Sequence, residues 1–153
     1  MIEIAPIGVV HGGRTSPIDD NWGDNRARIE LDPARFGPDA LAGLDAFSHV
    51  DVIFLFHQVK AESVHYGARR PRGRPDWPEV GIFAQRGKDR PNRLGLCTCC
   101  LVGIEGLAVL VEGLDAIDGS PVLDIKPTMV GFLPRGAIVE PDWARDIMKD
   151  YWS

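Results

Sequence analysis

Basic side chains that could hold a polyanion are concentrated in one part of this sequence. Residues 69–93 carry a net charge of +5, whereas the whole chain of 153 residues carries −5. A basic stripe on an acidic body favours a localised contact with a polyanion over nonspecific coating. The residues that we expect to bind such a substrate are Arg69, Arg70, Arg90, Asn92 and Arg93, although the last three also suit a turn with solvated arginines.

Asp124 and Lys126 are candidates for catalysis. They lie two residues apart and therefore share one face of a predicted strand. A lysine in that position could stabilise negative charge that develops on a deprotonating nitrogen, with Asp124 orienting it. A same-face ion pair explains the spacing equally well, so both interpretations stay open.

The cysteines and histidines do not predict a metal site. Cys97, Cys99 and Cys100 fall within four positions, a number and spacing that suit neither a disulfide framework nor a four-ligand zinc site. The histidines lack metal-binding spacing as well. We therefore expect no metal, and we interpret the cysteines as small buried strand residues.

Short apolar segments rich in β-branched residues predict a mainly β fold. Residues 39–44 predict a helical turn, and the spacing of Trp143, Ile147 and Tyr151 predicts a short helix within 141–152. Residues 60–79 are rich in Arg, Pro and Gly, so we expect a long exposed loop there. The predicted strands, which favour a barrel or a sandwich, cover residues 4–10, 26–31, 50–56, 80–84, 95–103, 108–114 and 122–125.

Length and hydropathy bound the class of protein. A chain of 153 residues predicts one domain. No run of about 18 apolar residues predicts a membrane span, and the first residues lack the pattern of a secretory signal. We therefore expect a cytoplasmic protein that does not enter a membrane.

Four ordered blocks of the sequence resemble the TsaA-like family, also called the TrmO family. Residues 7–11 read IGVVH, and residues 43–50 read GLDAFSHV before an apolar strand that ends in FHQ at 56–58. Residues 81–86 read GIFAQR and residues 90–95 read RPNRLG. The longest block, GLDAIDGSPVLDIKP at 113–127, is nearly identical to the family pattern.

The resemblance implies a single β-barrel over residues 1–135, with a tail over 136–153 that forms a short helix. It also implies a homodimer that binds S-adenosylmethionine near the subunit interface and methylates N6 of threonylcarbamoyladenosine in tRNA. A carboxylate suits ribose hydroxyls, and an arginine suits the methionine carboxylate. The cofactor contacts that the resemblance implies are His57, Gln58, Arg86, Leu96, Asp115, Ala116, Ile117 and Asp118.

Each of these contacts also has a purely structural interpretation. Asp118-Gly119 is a dipeptide that readily forms a hairpin turn. Arg86 could be a solvated charge. His57 could be a structural residue at the end of a strand, and Leu96 could be a core residue.

Three departures from the family pattern leave the acceptor open. The segment from Ser16 to Asp24 lacks the family's PRQ triplet. The block at residues 81–95 differs from the family pattern at Gln85, Gly87, Lys88, Asp89 and Arg93. We also expect no C-terminal extension like that of the longer members. Two alternatives therefore stand beside tRNA methylation: a nonenzymatic module that binds RNA or an adenosyl ligand, and a methyltransferase with another acceptor.

Overall fold

The computed structural model describes all residues from Met1 to Ser153 and shows a closed, six-stranded antiparallel barrel. The order around the barrel is β1-β2-β7-β6-β3-β8, and β4 and β5 form a separate two-stranded ribbon. The strands are β1 Gly8–His11, β2 Arg26–Leu31, β3 His49–Leu55, β4 Ala68–Arg69, β5 Val80–Gly81, β6 Leu94–Glu105, β7 Ala108–Glu112 and β8 Pro121–Pro127. One α-helix follows, α1 Asp142–Met148.

Short 3₁₀ turns connect these strands. They cover Pro38–Leu41, Leu44–Ala46, Ala61–Ser63, Pro71–Gly73, Ile82–Ala84, Pro91–Arg93 and Val130–Phe132. The first two fall where the sequence predicts a helical turn. The mainly β barrel with a few short helices is therefore confirmed, and no helix is long and apolar enough to cross a membrane.

Alternation of side chains explains why these segments form a barrel. In β2 and β3 every second residue is buried, which places Ile29, Val52 and Phe54 inside and their neighbours outside. Closing the sheet gives every strand edge a partner, so no row of backbone groups is left unpaired. The interior is a single apolar cluster that includes these residues, Cys97 and Cys99.

Strand β3 sets the register of the outer face because it pairs with both β6 and β8. Ile53 stands opposite Leu96 on one side and opposite Asp124 on the other. One row further along, Asp51 stands opposite Thr98 and Lys126. The two predicted catalytic residues therefore lie on the outside of the barrel, two strands away from Leu96.

Three of the predicted elements, and the predicted burial of one cysteine, need correction. The first strand begins at Gly8 rather than residue 4, because residues 1–6 are exposed. Residues 80–84 are not one strand: after β5, a 3₁₀ turn buries Ile82, whose N–H bonds to the carbonyl of Gly67. The segment 60–79 is not an exposed loop throughout, since Pro71 and Trp77 are buried. Cys97 and Cys99 are buried as expected, but Cys100 is exposed.

The C-terminal segment forms part of the same body as the barrel. The backbone N–H groups of Asn21 and Trp22 donate to the carbonyls of Asp150 and Tyr151 at 3.0 and 2.7 Å. The indole of Trp77 donates to the Asp146 carboxylate at 2.8 Å. The predicted helix is present, and it lies against the loop after β1 and the loop between β4 and β5.

A close contact in the core gives the first testable prediction. A Cβ atom added to Gly95 would lie 2.4 Å from the ring of Phe54, which is fully buried. Gly95→Ala should therefore lower the free energy of unfolding by about 1–3 kcal/mol, as overpacked cores do. Urea denaturation followed by tryptophan fluorescence measures this loss. The control is Gly81→Ala, where nothing lies within 4 Å; equal losses in both variants would contradict the prediction.

Candidate functional site

One end of the barrel opens into a cleft of about 1680 Å³. Its floor is formed by the ends of β3 and β6 and by the segment after β7, and its walls by the loop after β1, the loops around β4 and β5, and the C-terminal segment. Seven of the eight predicted cofactor contacts line it: His57, Gln58, Arg86, Leu96, Asp115, Ala116 and Ile117. The fold thus brings together residues that are far apart in the sequence.

Asp118 is the predicted contact that does not line the cleft. Its carboxylate accepts a hydrogen bond from the N–H of Gly12 at 2.9 Å, and its own N–H donates to Arg14. Gly119 adopts a positive φ of 86°, and its N–H donates to Val10. The dipeptide is not a β7–β8 hairpin turn, because those strands do not pair with each other. Its observed role is to hold the chain after β1.

Three polar atoms of cleft residues are buried without a hydrogen-bond partner. They are Nδ1 of His57, Nε of Arg69 and Oδ1 of Asp115. Leaving a buried polar group unpaired costs about 1–3 kcal/mol, so such atoms in native proteins usually have a partner. A ligand with hydroxyl or amino groups would supply one, and the cleft therefore fits a polar ligand such as an adenosyl group.

The Asp115 carboxyl group lies in an unusual electrostatic environment. Burial raises its pKa, while the hydrogen bond from Tyr151, the neighbouring Cys97 thiol and the nearby charge of Arg86 oppose that rise. The Tyr151 hydroxyl donates to Oδ2 at 2.5 Å. Burial also raises the pKa of Tyr151, so this phenol remains a hydrogen-bond donor at neutral pH.

Sequence reasoning missed Tyr151 as a site residue. Its helical spacing with Trp143 and Ile147 indicates only a packed face, and no local motif connects it with Asp115. The structure shows that all three residues line the cleft.

Arg86 connects the predicted cofactor residues with one another. Its guanidinium group donates to the carbonyl of Leu96 at 2.9 Å. Leu96 itself is 51% exposed and lines the cleft, so it is not a core residue. A positive charge held here, beside the buried carboxylate of Asp115, would attract a ligand that carries a carboxylate.

Most cations of the basic stripe have partners within the chain. Arg69 pairs with Asp89 at 3.2 Å, Arg72 with Asp20 at 3.0 Å, and Arg74 with Asp76 at 2.6 Å. These three charges are therefore largely neutralised locally.

The arginines among the other predicted substrate contacts bind backbone carbonyl groups, and most of the predicted contacts also line the cleft. Arg70, Arg90 and Arg93 donate to backbone carbonyls, those of Trp77, Gln85 and Val59. Arg69, Arg70, Arg90 and Asn92 line the cleft, whereas Arg93 does not. Lys60 and Lys88, which were not predicted as contacts, also line it and have no carboxylate partner.

The predicted catalytic pair lies outside the cleft. Lys126 and Asp124 form an ion pair of 2.7 Å on the outer face, and this contact raises the pKa of Lys126. Neither residue lines the cleft. Because adjacent strands are about 4.8 Å apart, Asp124 is about 10 Å from Leu96. A catalytic role for the pair stays a prediction, and it requires an acceptor that reaches over this face.

The segment that lacks the PRQ triplet nevertheless reaches the cleft. Pro17, Ile18, Asp19 and Trp22 line it. The guanidinium of Arg14 lies 4.5 Å from the ring centre of Trp22 and donates to the carbonyl of Asp20 at 2.6 Å. The His, Cys, Asp and Glu residues form no group that could hold a metal ion.

A closed β-barrel with a cleft at one end, lined by both polar and apolar side chains, defines a small barrel domain. The model of the family described as tRNA-methyltransferase O N-terminal domain matches residues 13–132. The chain therefore belongs to this family.

Similar proteins support the same assignment. The chain is 42% identical over 93 residues to the tRNA (adenine(37)-N6)-methyltransferase of Mus musculus, covering 61% of this chain and 21% of that protein. It is 35% identical over 130 residues to a probable S-adenosyl-L-methionine-binding protein of Methanothermobacter thermautotrophicus, covering 82% and 89%. The crystal structure of TrmO from Pseudomonas aeruginosa superposes with a TM-score of 0.73 at 30% identity, covering 90% of this chain and 61% of that one.

The environment of Asp115 predicts how stability depends on pH. An acid whose pKa is raised above its ordinary value of 3.8 stabilises the fold fully below that pH and loses this contribution as the pH rises through the folded pKa. Asp115→Asn should therefore be more stable than the wild type at pH 7, by about 1–3 kcal/mol, and should lose this advantage near pH 4. Urea denaturation across this range measures the difference. Asp24→Asn, at an exposed carboxylate, is the control; the same pH trend in both variants would contradict the prediction.

Proposed function

We propose that this protein is an S-adenosylmethionine-dependent methyltransferase that modifies tRNA in the cytoplasm. The observation that carries the proposal is the cleft itself, where His57 and Asp115 each have a buried polar atom without a hydrogen-bond partner and Arg86 contributes a guanidinium group. Membership of the family supports the same activity, and so do the names of similar proteins, a tRNA methyltransferase and a probable S-adenosyl-L-methionine-binding protein. The match covers only 21% of the relative from Mus musculus. The inference that this chain has the same activity and substrate therefore rests on the shared domain alone.

The residues of the cleft suit the parts of the cofactor. Asp115 can accept from ribose hydroxyls, Arg86 can bind the methionine carboxylate, and His57 and Gln58 can contact the remaining polar groups. The apolar surface of the cleft includes Leu96, Ala116 and Ile117. Asp118 contributes by holding the segment that carries Asp115. When bound, S-adenosylmethionine supplies an electrophilic methyl group.

Methyl transfer needs little chemistry from the protein beyond orientation. Holding two reactants in line can supply about 7–11 kcal/mol of the barrier reduction. The cofactor, held by residues such as Arg86 and Asp115, would supply the methyl group, and the acceptor nitrogen would release its proton to bulk water. We propose that Lys126 stabilises the negative charge on that nitrogen and that Asp124 orients Lys126, in line with their 2.7 Å contact.

The acceptor that fits best is tRNA, with N6 of threonylcarbamoyladenosine as the methylated atom. The cleft contains a set of cations suited to phosphates: Lys60, Arg70, Lys88 and Arg90. The relative from Mus musculus is named as a methyltransferase of adenine 37 in tRNA. Arg69 and Asn92 also line the cleft. Arg93 would act indirectly, by holding the Val59 carbonyl.

A second function is a nonenzymatic module that binds an adenosyl ligand or RNA. Two observations favour it: the segment from Ser16 to Asp24 lacks the PRQ triplet, and a relative that is matched over 89% of its length is named as a probable S-adenosyl-L-methionine-binding protein. Methylation of a different acceptor is a third outcome.

Cofactor binding is the first test of the proposed function. Isothermal titration calorimetry should show that the wild type binds S-adenosylmethionine and that Asp115→Asn and His57→Ala bind at least about tenfold more weakly, because each removes a buried polar contact. Lys126→Ala should bind the cofactor normally, because Lys126 lies outside the cleft. Absence of binding by the folded wild type would rule out the methyltransferase and a module that binds an adenosyl ligand.

Transfer to tRNA then separates the enzyme from the binding module. Radiolabelled methyl incorporation should occur with tRNA that carries threonylcarbamoyladenosine, and it should fall in Lys126→Ala and in Lys60→Glu/Lys88→Glu. Arg135→Glu, an exposed cation outside the cleft, is the matched control. Cofactor binding without transfer to any tRNA would favour the module.

We also propose that the protein forms a homodimer with the cofactor site near the interface. Several large apolar side chains are exposed, namely Leu94 and Leu96 on the outer face of β6 and Val130, Phe132 and Val139 after β8. Where exposed apolar side chains form a patch, the patch is typical of a protein interface.

The apolar segment after β8 gives a prediction for this dimer. Phe132 is 86% exposed, and Phe132→Asp should shift the protein from dimer to monomer because a charge at the centre of an interface is strongly unfavourable. Analytical ultracentrifugation measures the mass. Ile2→Asp, at a residue 87% exposed elsewhere, is the control. A wild type that is monomeric at high concentration would disprove the dimer.

A further inference from the structure

The C-terminal segment supplies one wall of the cleft, although it lies beyond the residues that the family model matches. That model covers residues 13–132, whereas Trp143, Ile147, Tyr151 and Trp152 all line the cleft. The family pattern therefore assigns no role to these residues. The structure gives one of them, Tyr151, a direct contact with a predicted cofactor residue.

Two loops hold this wall in place. The loop after β1 donates to it through the backbone of Asn21 and Trp22, and the loop between β4 and β5 donates through the Trp77 indole. Gly23 lies so close to the carbonyl of Trp152 that an added Cβ would come within 2.1 Å of its oxygen. The position of the Tyr151 ring is fixed further by edge-to-face packing on Trp152, with the ring centres 4.8 Å apart.

The Tyr151 hydroxyl determines which oxygen of Asp115 is available. It donates to Oδ2 at 2.5 Å, and Oδ1 is buried without a partner. A carboxylate with one oxygen held in this way cannot rotate freely, so the other oxygen keeps one direction. Oδ1 itself has almost no exposed surface, and the residue that carries it lines the cleft.

We infer that Tyr151 is a positioning residue of the cofactor site, which acts by holding the Asp115 carboxylate with one oxygen free for the ligand. This inference rests on the proposed function, since it assumes that the ligand of Asp115 is the cofactor. Tyr151 itself need not touch the cofactor. Its contribution is to orient the carboxylate and to favour its charged form.

The groups that face this pair set the sign of its pH dependence. The hydrogen bond from Tyr151 lowers the pKa of Asp115, as do Cys97 on β6 and the charge of Arg86. Arg72, in the loop between β4 and β5, acts on Tyr151. Loss of the hydroxyl should therefore raise the pKa of Asp115 and remove its charge at a higher pH.

The test is Tyr151→Phe, which removes the hydroxyl and keeps the ring. Calorimetry with S-adenosylmethionine from pH 5 to pH 8.5 should show weaker binding by the variant, with the largest difference at the acidic end. Below the pKa, each unit by which it rises lowers the carboxylate fraction about tenfold. A purely structural role would weaken binding by the same factor at every pH. That result, or unchanged binding, would overturn the inference.

A measurement without cofactor separates this inference from the proposed function. The carbon-13 chemical shift of the Asp115 carboxyl reports its titration, and the midpoint should move to higher pH in Tyr151→Phe. An unmoved midpoint overturns the inference whether or not the cofactor binds. If the wild type does not bind S-adenosylmethionine, the proposed function fails, and the positioning role fails with it.

The matched control uses the Asp115→Asn background. Asparagine cannot titrate, so adding Tyr151→Phe to Asp115→Asn should cause no further pH-dependent loss of affinity. An additional pH-dependent loss in the double variant would show that Tyr151 acts through another group, and it would overturn the inference.

Discussion

Strand β3 hydrogen-bonds to β6 along one edge and to β8 along the other, and this double pairing closes the barrel. Because side chains alternate along a strand, the pairing fixes both faces at once. It places Phe54 and Val52 in the core and sets Ile53 between Leu96 and Asp124 outside. A shift by one residue would exchange the two faces, so the site depends on a register that the core itself selects.

The cleft shows how a site can retain groups that reduce the stability of the fold. Asp115 is a buried carboxylate with one unpaired oxygen, and His57 contributes an unpaired nitrogen. Neither arrangement favours folding, because buried polar groups without partners are costly. The barrel core tolerates them because it is continuous and apolar beneath the site. Ligand binding would recover part of this cost.

Local patterns predicted much of the fold. The strand Arg26–Leu31 was predicted with its observed bounds, since apolar and charged residues alternate without interruption. Residues 80–84 were predicted as a strand from composition alone, but the turn at Ile82–Ala84 depends on a bond to Gly67 that lies far away in sequence. The same limit applies to Arg72, whose carboxylate partner Asp20 is 52 residues away in the sequence. Tyr151 was missed because its partner is 36 residues away.

The contacts that hold the C-terminal wall have a consequence for evolution. Two of them join backbone N–H groups at Asn21 and Trp22 to backbone carbonyls at Asp150 and Tyr151. Backbone groups are common to nearly all residue types, so the segment can exchange most of its side chains and still dock in the same place. Homologous tails could therefore diverge beyond recognition while they preserve one architecture. Within such a tail, a tyrosine that contacts the site would be the residue that selection retains.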